Sequence, residues 1–149
     1  MTIWVDADAA PRAVKDVLFK AAQKRRVEVV FVANQGLHLP GSKYIRMERV
    51  SAGPDVADDY IAEQCEQGDL VISADVPLAA RVVPKGGVVL QPRGRLLDAN
   101  NVEEALSIRD FGDSLRSSGI ETGGPPPFRP ADKQKFSNAL DRWLTMNGH

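Results

Sequence analysis

The segment Thr2-Ile3-Trp4-Val5-Asp6-Ala7-Asp8 carries the most information in this chain, because it places two carboxylates directly after a strand-like run. Thr2–Val5 is short, apolar and β-favouring, and Pro11 is typical of the first turn of a helix. In open α/β sheets, ligands bind outside the carboxyl ends of the strands. Two acids one residue apart repel each other there unless a cation or a shared proton separates them. A helix cap explains one of the two aspartates, whereas a divalent metal explains both.

Downstream of this segment, strand-like and helix-like patterns alternate along the chain. Further strands are predicted near 27–33, 44–50, 70–72 and 88–90, and helices near 11–25, 56–66, 77–83 and 101–117. A last amphipathic helix is predicted from Phe136, Leu140, Trp143 and Leu144. This alternation predicts an α/β fold: a three-layer sandwich with a central, mainly parallel sheet and the C-terminal helices packed on it. Its centre should hold the first strand and the strand before Asp75.

We expect one domain over residues 1–149, with a sheet core in 1–91 and a loop-rich helical part in 92–149. Residues 91–100 have the character of a polar loop. The segment Thr122–Pro127 is too rich in Gly and Pro for regular structure. We interpret it as a tether for the last helix. A rigid loop over the site and a polyproline-type partner site are the alternatives.

Composition restricts the class of protein. The formal net charge of −1 gives no global basic field that would attract nucleic acid, so a polyanion partner would need a local patch. Cys65 is the single cysteine, which excludes an internal disulfide and favours a role in core packing. No apolar run approaches the ~20 residues that span a bilayer. These features predict a soluble, cytoplasmic protein without a membrane partner.

Two further acids fall where they could join the first pair. Asp75 follows the strand at 70–72, and Asp58 lies at the edge of the apolar arc of the helix at 56–66. Each also has a simpler explanation, because aspartate caps helices and acids in the first turn stabilise a helix by ~0.3–1 kcal/mol. Asp59 should face water, on the same solvated face as Asp55, Glu63 and Glu66.

Asp6, Asp8, Asp58 and Asp75 together form a set of oxygen donors without basic neighbours in the sequence. Such a set predicts a site for Mg²⁺ or Mn²⁺, which can activate water for an in-line displacement at phosphorus. The two histidines, His38 and His149, supply neither a catalytic triad nor a zinc trio. No glycine-rich phosphate loop of Walker or Rossmann spacing is present.

Four segments resemble the YaiI/YqxD family of bacterial proteins over nearly the whole chain. They are Ile3-Trp4-Val5-Asp6-Ala7-Asp8-Ala9-Ala10-Pro11, Asp55-Val56-Ala57-Asp58, residues 68–79 (GDLVISADVPLA) and Thr122-Gly123-Gly124-Pro125. The family is grouped with the PIN-like domains, many of which are metal-dependent ribonucleases. The resemblance implies that Asp6 is the first PIN acid, Asp58 the mid-chain acid on a helix and Asp75 the metal-binding acid at a strand end.

This chain departs from the family pattern at two points. Ala10 stands where the family commonly has cysteine, so this protein does not need a thiol there. The fourth PIN acid has no clear match, although Asp98 and Asp110 are candidates.

A basic surface for RNA is predicted at the same sheet edge as the acids. Arg93 and Arg95 follow the strand at 88–90, and Phe128 offers a ring for stacking beside further cations, Arg129, Lys133 and Lys135. Cations with an aromatic ring beside a metal site suit the binding of single-stranded RNA. The alternative is that these loops are merely solvated, since 26% of the residues are charged.

Three functions follow from these patterns. The first is a Mg²⁺- or Mn²⁺-dependent nuclease acting on RNA. The second is a non-catalytic module that binds RNA, a nucleotide or a protein. The third is a phosphatase of the haloacid dehalogenase type, with Asp6 as nucleophile and Asp8 as general acid. That chemistry wants a hydroxyl residue soon after the second acid, where this chain has Ala9 and Ala10.

Overall fold

A computed structural model describes residues 1–120 and 126–149. Within these residues the strands are β1 (Thr2–Asp6), β2 (Glu28–Ala33), β3 (Ile45–Arg49), β4 (Leu70–Ile72), β5 (Val88–Leu90) and β6 (Leu96–Leu97). The helices are α1 (Arg12–Arg25), α2 (Val56–Gln64), α3 (Val76–Val82), α4 (Val102–Ser117) and α5 (Pro130–Met146). Most of the segment Thr122–Pro127 lies outside the described residues, so its role as a tether stays a prediction.

The sheet confirms the predicted α/β class. Its order is β3-β2-β1-β4-β5-β6, and every neighbouring pair is parallel except β5 with β6. β1 therefore lies between β2 and β4, which places the first strand and the strand before Asp75 at the centre as predicted. The carboxyl ends of these strands meet at one edge of the sheet.

Two apolar clusters lie on opposite faces of this sheet. Since successive side chains of a strand point to opposite faces, Ile3 and Val5 pack on one face and Trp4 on the other. The first face is covered by α1 and α5, and the second by α2, α3 and α4. The C-terminal helices thus divide between the two outer layers, and the molecule is the predicted three-layer sandwich.

The predicted polar loop over 91–100 contains a short strand instead. Leu96 and Leu97 pair antiparallel with Leu90 and Val89. Gly94 makes the turn with φ +96°, and a Cβ there would lie 2.8 Å from the carbonyl carbon of Lys135 in α5. Two leucines in a polar segment are too short a run to show strand periodicity, and Leu97 is a strand residue because its side chain fills the second core.

Cys65 packs in the second core, as predicted from composition. Burial raises the pKa of its thiol to about 11, so the sulfur stays protonated at neutral pH. Among the described residues, no helix is both long enough and apolar enough to cross a membrane.

Candidate functional site

Three aspartates from three elements converge at the carboxyl edge of the sheet. Asp6 ends β1, Asp75 follows β4 and caps α3, and Asp58 lies in the first turn of α2. β1 and β4 are adjacent and parallel, with Val5 opposite Ile72, so the acids that follow them are neighbours in space. The sheet topology thus brings Asp6 and Asp75 together although they are far apart in the sequence.

Ser73 links the two strand ends. Its buried hydroxyl donates to Asp6 Oδ2 at 3.4 Å and accepts from the backbone N–H of Asp75 at 3.0 Å. This serine positions both acids, and sequence reasoning missed it. The available signal was its place between the β4 strand and Asp75, where a small polar side chain can bond to both.

The pKa values of two acids show how crowded the site is. Burial, followed by the charges of Asp75 and Asp6 and a hydrogen bond with Asp75, raises the pKa of Asp58 to about 7. Burial also raises the pKa of Asp6, and the charges of Asp75 and Asp8 add to the rise while the bond from Ser73 opposes it. The carboxylates of Asp6 and Asp75 are therefore close enough to Asp58 to oppose its ionisation.

These acids line two adjoining cavities. The first has a volume of about 210 Å³ and is lined by Asp6, Asp8 and Asn34 among others. The second, of about 380 Å³, contains Asp75. Both cavities are also lined by Asp55 and Asp58, which stand between them. Together they form one acidic crevice along the carboxyl edge of the sheet.

Asp55, in the turn before α2, supplies the crevice with a further carboxylate that sequence reasoning did not propose. It was expected on the solvated face of α2, and it is indeed exposed, yet it borders both cavities. Its left-handed backbone, with φ 63°, turns the chain into α2 and presents this residue at the crevice. The candidates Asp98 and Asp110 lie elsewhere: Asp98 turns the chain before α4, and Asp110 is exposed beside Arg109.

Asp8 and Asp75 also have structural partners. Asp8 Oδ2 accepts from the backbone N–H of Asn34 at 2.8 Å, and Asp75 Oδ1 accepts from the N–H of Leu78 at 2.8 Å. The second bond is the helix cap that the sequence allowed as an alternative. A cap occupies one carboxylate oxygen, so capping is compatible with a role in the crevice.

The donor set fits a hard divalent cation in its chemistry. Within residues 1–120 and 126–149, no lysine or arginine pairs with Asp6, Asp58 or Asp75, so their mutual repulsion is uncompensated. Over the same residues, no group of three His, Cys, Asp or Glu side chains is close enough to hold an ion jointly. Joint coordination therefore requires the carboxylates to draw closer than they stand. A bound cation would supply the attraction for that movement.

Two arginines border the second cavity, and sequence reasoning missed both. Arg81 Nη1 pairs with Asp59 at 2.7 Å, and Arg109 Nη1 pairs with Asp113 at 3.0 Å. Asp59 is exposed as predicted, although it also lines this cavity. The signal for Arg81 was its place in the short helix that Asp75 caps. No comparable signal in the sequence pointed to Arg109, because its position at the cavity depends on how α4 packs against α3.

The predicted RNA-binding residues do not line the acidic crevice. Arg93 binds Asp132 at 3.0 Å, donates to the carbonyl of Pro126 and lies 5.9 Å from the centroid of the Phe128 ring, so it connects the β5–β6 turn to α5. Lys133 borders a separate cavity between α1 and α5. Arg95 and Arg129 are exposed near the same end of α5.

Comparisons with known proteins agree along the whole chain. The sequence profile described as "Uncharacterized BCR, YaiI/YqxD family" matches residues 4–146. A UPF0178 protein of Saccharophagus degradans is 56% identical over 145 residues, or 97% of this chain and 96% of the relative. UPF0178 proteins of Desulfotalea psychrophila and Pectobacterium carotovorum are 56% and 53% identical, each over 97% of this chain and over 97% and 96% of their own lengths.

Proposed function

The chain belongs to the YaiI/YqxD family, and we propose that it is a Mg²⁺- or Mn²⁺-dependent nuclease of PIN-like type that acts on RNA. One observation carries this proposal: carboxylates from β1, α2 and the end of β4 converge on a single crevice that also has arginines at its rim. Such a crevice combines oxygen donors for a cation with donors for a phosphate.

Asp6, Asp58 and Asp75 would hold the cation, with Asp8 and Asp55 at the sides of the crevice. A divalent ion in such a site polarises the phosphate and activates water for attack. Ser73 orients the carboxylate of Asp6 and accepts a hydrogen bond from the backbone N–H of Asp75. These bonds hold the end of β1 and the turn after β4 together at the crevice before substrate arrives.

Arg81 and Arg109 would bind the phosphodiester. Their side chains are 49% and 43% exposed and pair only with exposed acids, so exchanging those partners for a phosphate has a small energetic cost. A guanidinium forms paired hydrogen bonds to phosphate oxygens, which a lysine does not. The arginines therefore orient the substrate while the acids serve the cation.

A non-catalytic binding module is the second candidate. It is favoured by the spacing of the acids, since the described residues contain no group of three carboxylates ready to hold an ion. In that case the crevice binds its ligand through Arg81 and Arg109, and Asp58, whose pKa is raised to about 7, remains partly protonated.

Calorimetric titration of Mn²⁺ into the metal-free protein separates the two. The nuclease proposal predicts micromolar binding that Asp6→Asn and Asp75→Asn each abolish, while Asp141→Asn, an exposed acid paired with Arg25 on α1, leaves it intact. Cleavage of single-stranded RNA should follow the same pattern and stop when the metal is chelated. Absence of heat in the wild-type titration, together with intact RNA, would favour the binding module.

A further inference from the structure

A further cavity lies outside the acidic crevice, between α1 and the loop that follows β2. We call it the α1 cavity. Its volume is about 570 Å³, which is within the range of pockets that take small ligands. One wall is formed by the first turns of α1 and the other by Leu37, Leu39 and Pro40.

The α1 wall carries two cations that have no ion-pair partner among the described residues. Arg12 and Lys15 line the cavity, and neither forms an ion pair or a side-chain hydrogen bond with a described residue. Asp16 also lines the cavity but pairs with neither cation. α1 as a whole has five cations and one acid, in a chain with a net charge of −1. This wall therefore attracts an anion.

Much of the remaining lining, from both walls of the cavity, is apolar and well supported. Phe19 packs against the buried Phe31, with ring centroids 5.2 Å apart, and Leu37 and Leu39 pack against the first core. These side chains are half-buried, so each keeps an exposed apolar surface facing the cavity. A planar ring that loses water on binding would be stabilised there.

The α1 cavity and the acidic crevice are bordered by the same two segments of chain. Asp8 lines the crevice and Arg12, one turn later, lines the α1 cavity. Asn34 lines the crevice and Leu37 lines the α1 cavity. The hydrogen bond from the N–H of Asn34 to Asp8 ties the two segments together. A ligand long enough to leave one depression can therefore enter the other.

We propose that the α1 cavity binds one unpaired nucleotide of the RNA strand whose neighbouring phosphate lies in the acidic crevice. Arg12 and Lys15 bind the phosphate of this nucleotide, and the base rests on Phe19, Leu37 and Leu39. The assignment of RNA rests on the proposed function. The site itself rests on the pairing of free cations with an apolar surface, which matches the two parts of a nucleotide.

Fluorescence anisotropy with a labelled single strand of about twelve uridines measures the binding directly, with divalent metal chelated so that no cleavage occurs. We expect Arg12→Ala/Lys15→Ala to weaken binding by about tenfold and to make the dependence of log K on log salt shallower by about 0.7, since one phosphate contact is lost. The control Lys24→Ala/Arg142→Ala removes the same charge from exposed positions elsewhere and should weaken binding by about twofold or less. Equal losses of RNA affinity in the two double variants would contradict a nucleotide site in the α1 cavity.

Photocrosslinking locates the base independently of charge. The same strand carrying 4-thiouridine should give adducts on peptides that contain Phe19 or residues 37–40. Adducts confined to other peptides contradict the proposal. Because Arg12 and Lys15 are at the surface, matched thermal unfolding of the double variant verifies that it is folded.

The outcomes separate this inference from the nuclease proposal. If RNA binding depends on Arg12 and Lys15 but no metal-dependent cleavage occurs, the nucleotide site in the α1 cavity is supported and the nuclease proposal is contradicted. If metal-dependent cleavage occurs but Arg12→Ala/Lys15→Ala binds RNA with unchanged affinity, the nuclease proposal is supported and the nucleotide site in the α1 cavity is contradicted.

Discussion

Asp69 shows what a purely structural acid looks like in this chain. Its buried carboxylate accepts from the N–H of Thr2 at 2.9 Å, from Trp4 Nε1 at 3.1 Å and from the N–H of Glu66 at 3.0 Å. It lies at the amino edge of the sheet, where β1 and β4 begin. Asp6, at the other end of β1, has the single bond from Ser73 and a raised pKa. Asp69 therefore holds the strands together, whereas the carboxylate of Asp6 remains open to a ligand.

We therefore expect Asp69→Ala to be among the most destabilising single substitutions. Three donors would lose their acceptor in a buried place, so the free energy of unfolding should fall by about 3 kcal/mol. Glu63→Ala, which removes an exposed carboxylate from α2, should change it by less than about 0.5 kcal/mol. Urea denaturation followed by circular dichroism measures both. Similar midpoints for the two variants would contradict the assigned role of Asp69.

Among the elements, α3 combines a structural and a proposed functional role in one residue. Asp75 caps the helix through Oδ1 and also stands in the acidic crevice. Asparagine caps helices about as well as aspartate, whereas alanine does not. The two substitutions therefore distinguish the cap from the charge.

Asp75→Ala should lower the free energy of unfolding by about 1 kcal/mol, and Asp75→Asn should leave the cap in place. In the metal-free protein, Asp75→Asn also removes a repulsive charge from Asp58 and Asp6. We thus expect Asp75→Asn to be at least as stable as the wild type in chemical denaturation while it fails to bind Mn²⁺. If this variant still binds Mn²⁺, the role of Asp75 is limited to capping α3.

The elements with strong periodic patterns were predictable, and the weak ones were not. α1 and β2 have long runs of one period, so their positions follow from the sequence alone. β6 has two residues and depends on pairing with β5 and on the close packing of Gly94 against α5. Such an element exists because of tertiary contacts, which no local pattern shows.

The residues of the candidate site likewise divide into those that the sequence predicts and those that depend on tertiary contacts. Asp6, Asp58 and Asp75 were predictable because parallel strands end at a common edge and a helix wheel shows which acid leans over it. Asp55 and Arg109 were not, since their approach to the crevice depends on a left-handed turn and on the packing of α4 against α3. The predicted role of Arg93 overlooked Asp132, an ion-pair partner distant in sequence.

At the scale of the whole molecule, the acidic crevice makes stability depend on pH. The pKa of Asp58 is about 7 in the folded protein, against about 4 for an unfolded chain. The folded state therefore binds this proton more tightly. Its contribution to stability is fully present below pH ~4 and is lost as the pH rises through about 7.

We expect the metal-free protein to have a lower melting temperature at pH 8 than at pH 6, and Asp58→Asn to reduce this difference. Because Asp58 is partly exposed, solvent screening limits the gain from the substitution at pH 8 to about 1 kcal/mol. Differential scanning calorimetry in chelator at both pH values measures it, with Asp59→Asn as the matched control on the same helix. An unchanged pH dependence in Asp58→Asn would show that its carboxyl ionises normally.

The central position of β1 has a consequence for synthesis on the ribosome. β1 emerges first, yet its two hydrogen-bonding partners are β2 and the much later β4. Until β4 has been made, one side of an apolar strand stays open to pairing with other nascent chains. Docking of β4 closes that side and brings Ser73 and Asp75 to Asp6. The protein thus assembles its acidic crevice in the same step that removes its main hazard of misassembly.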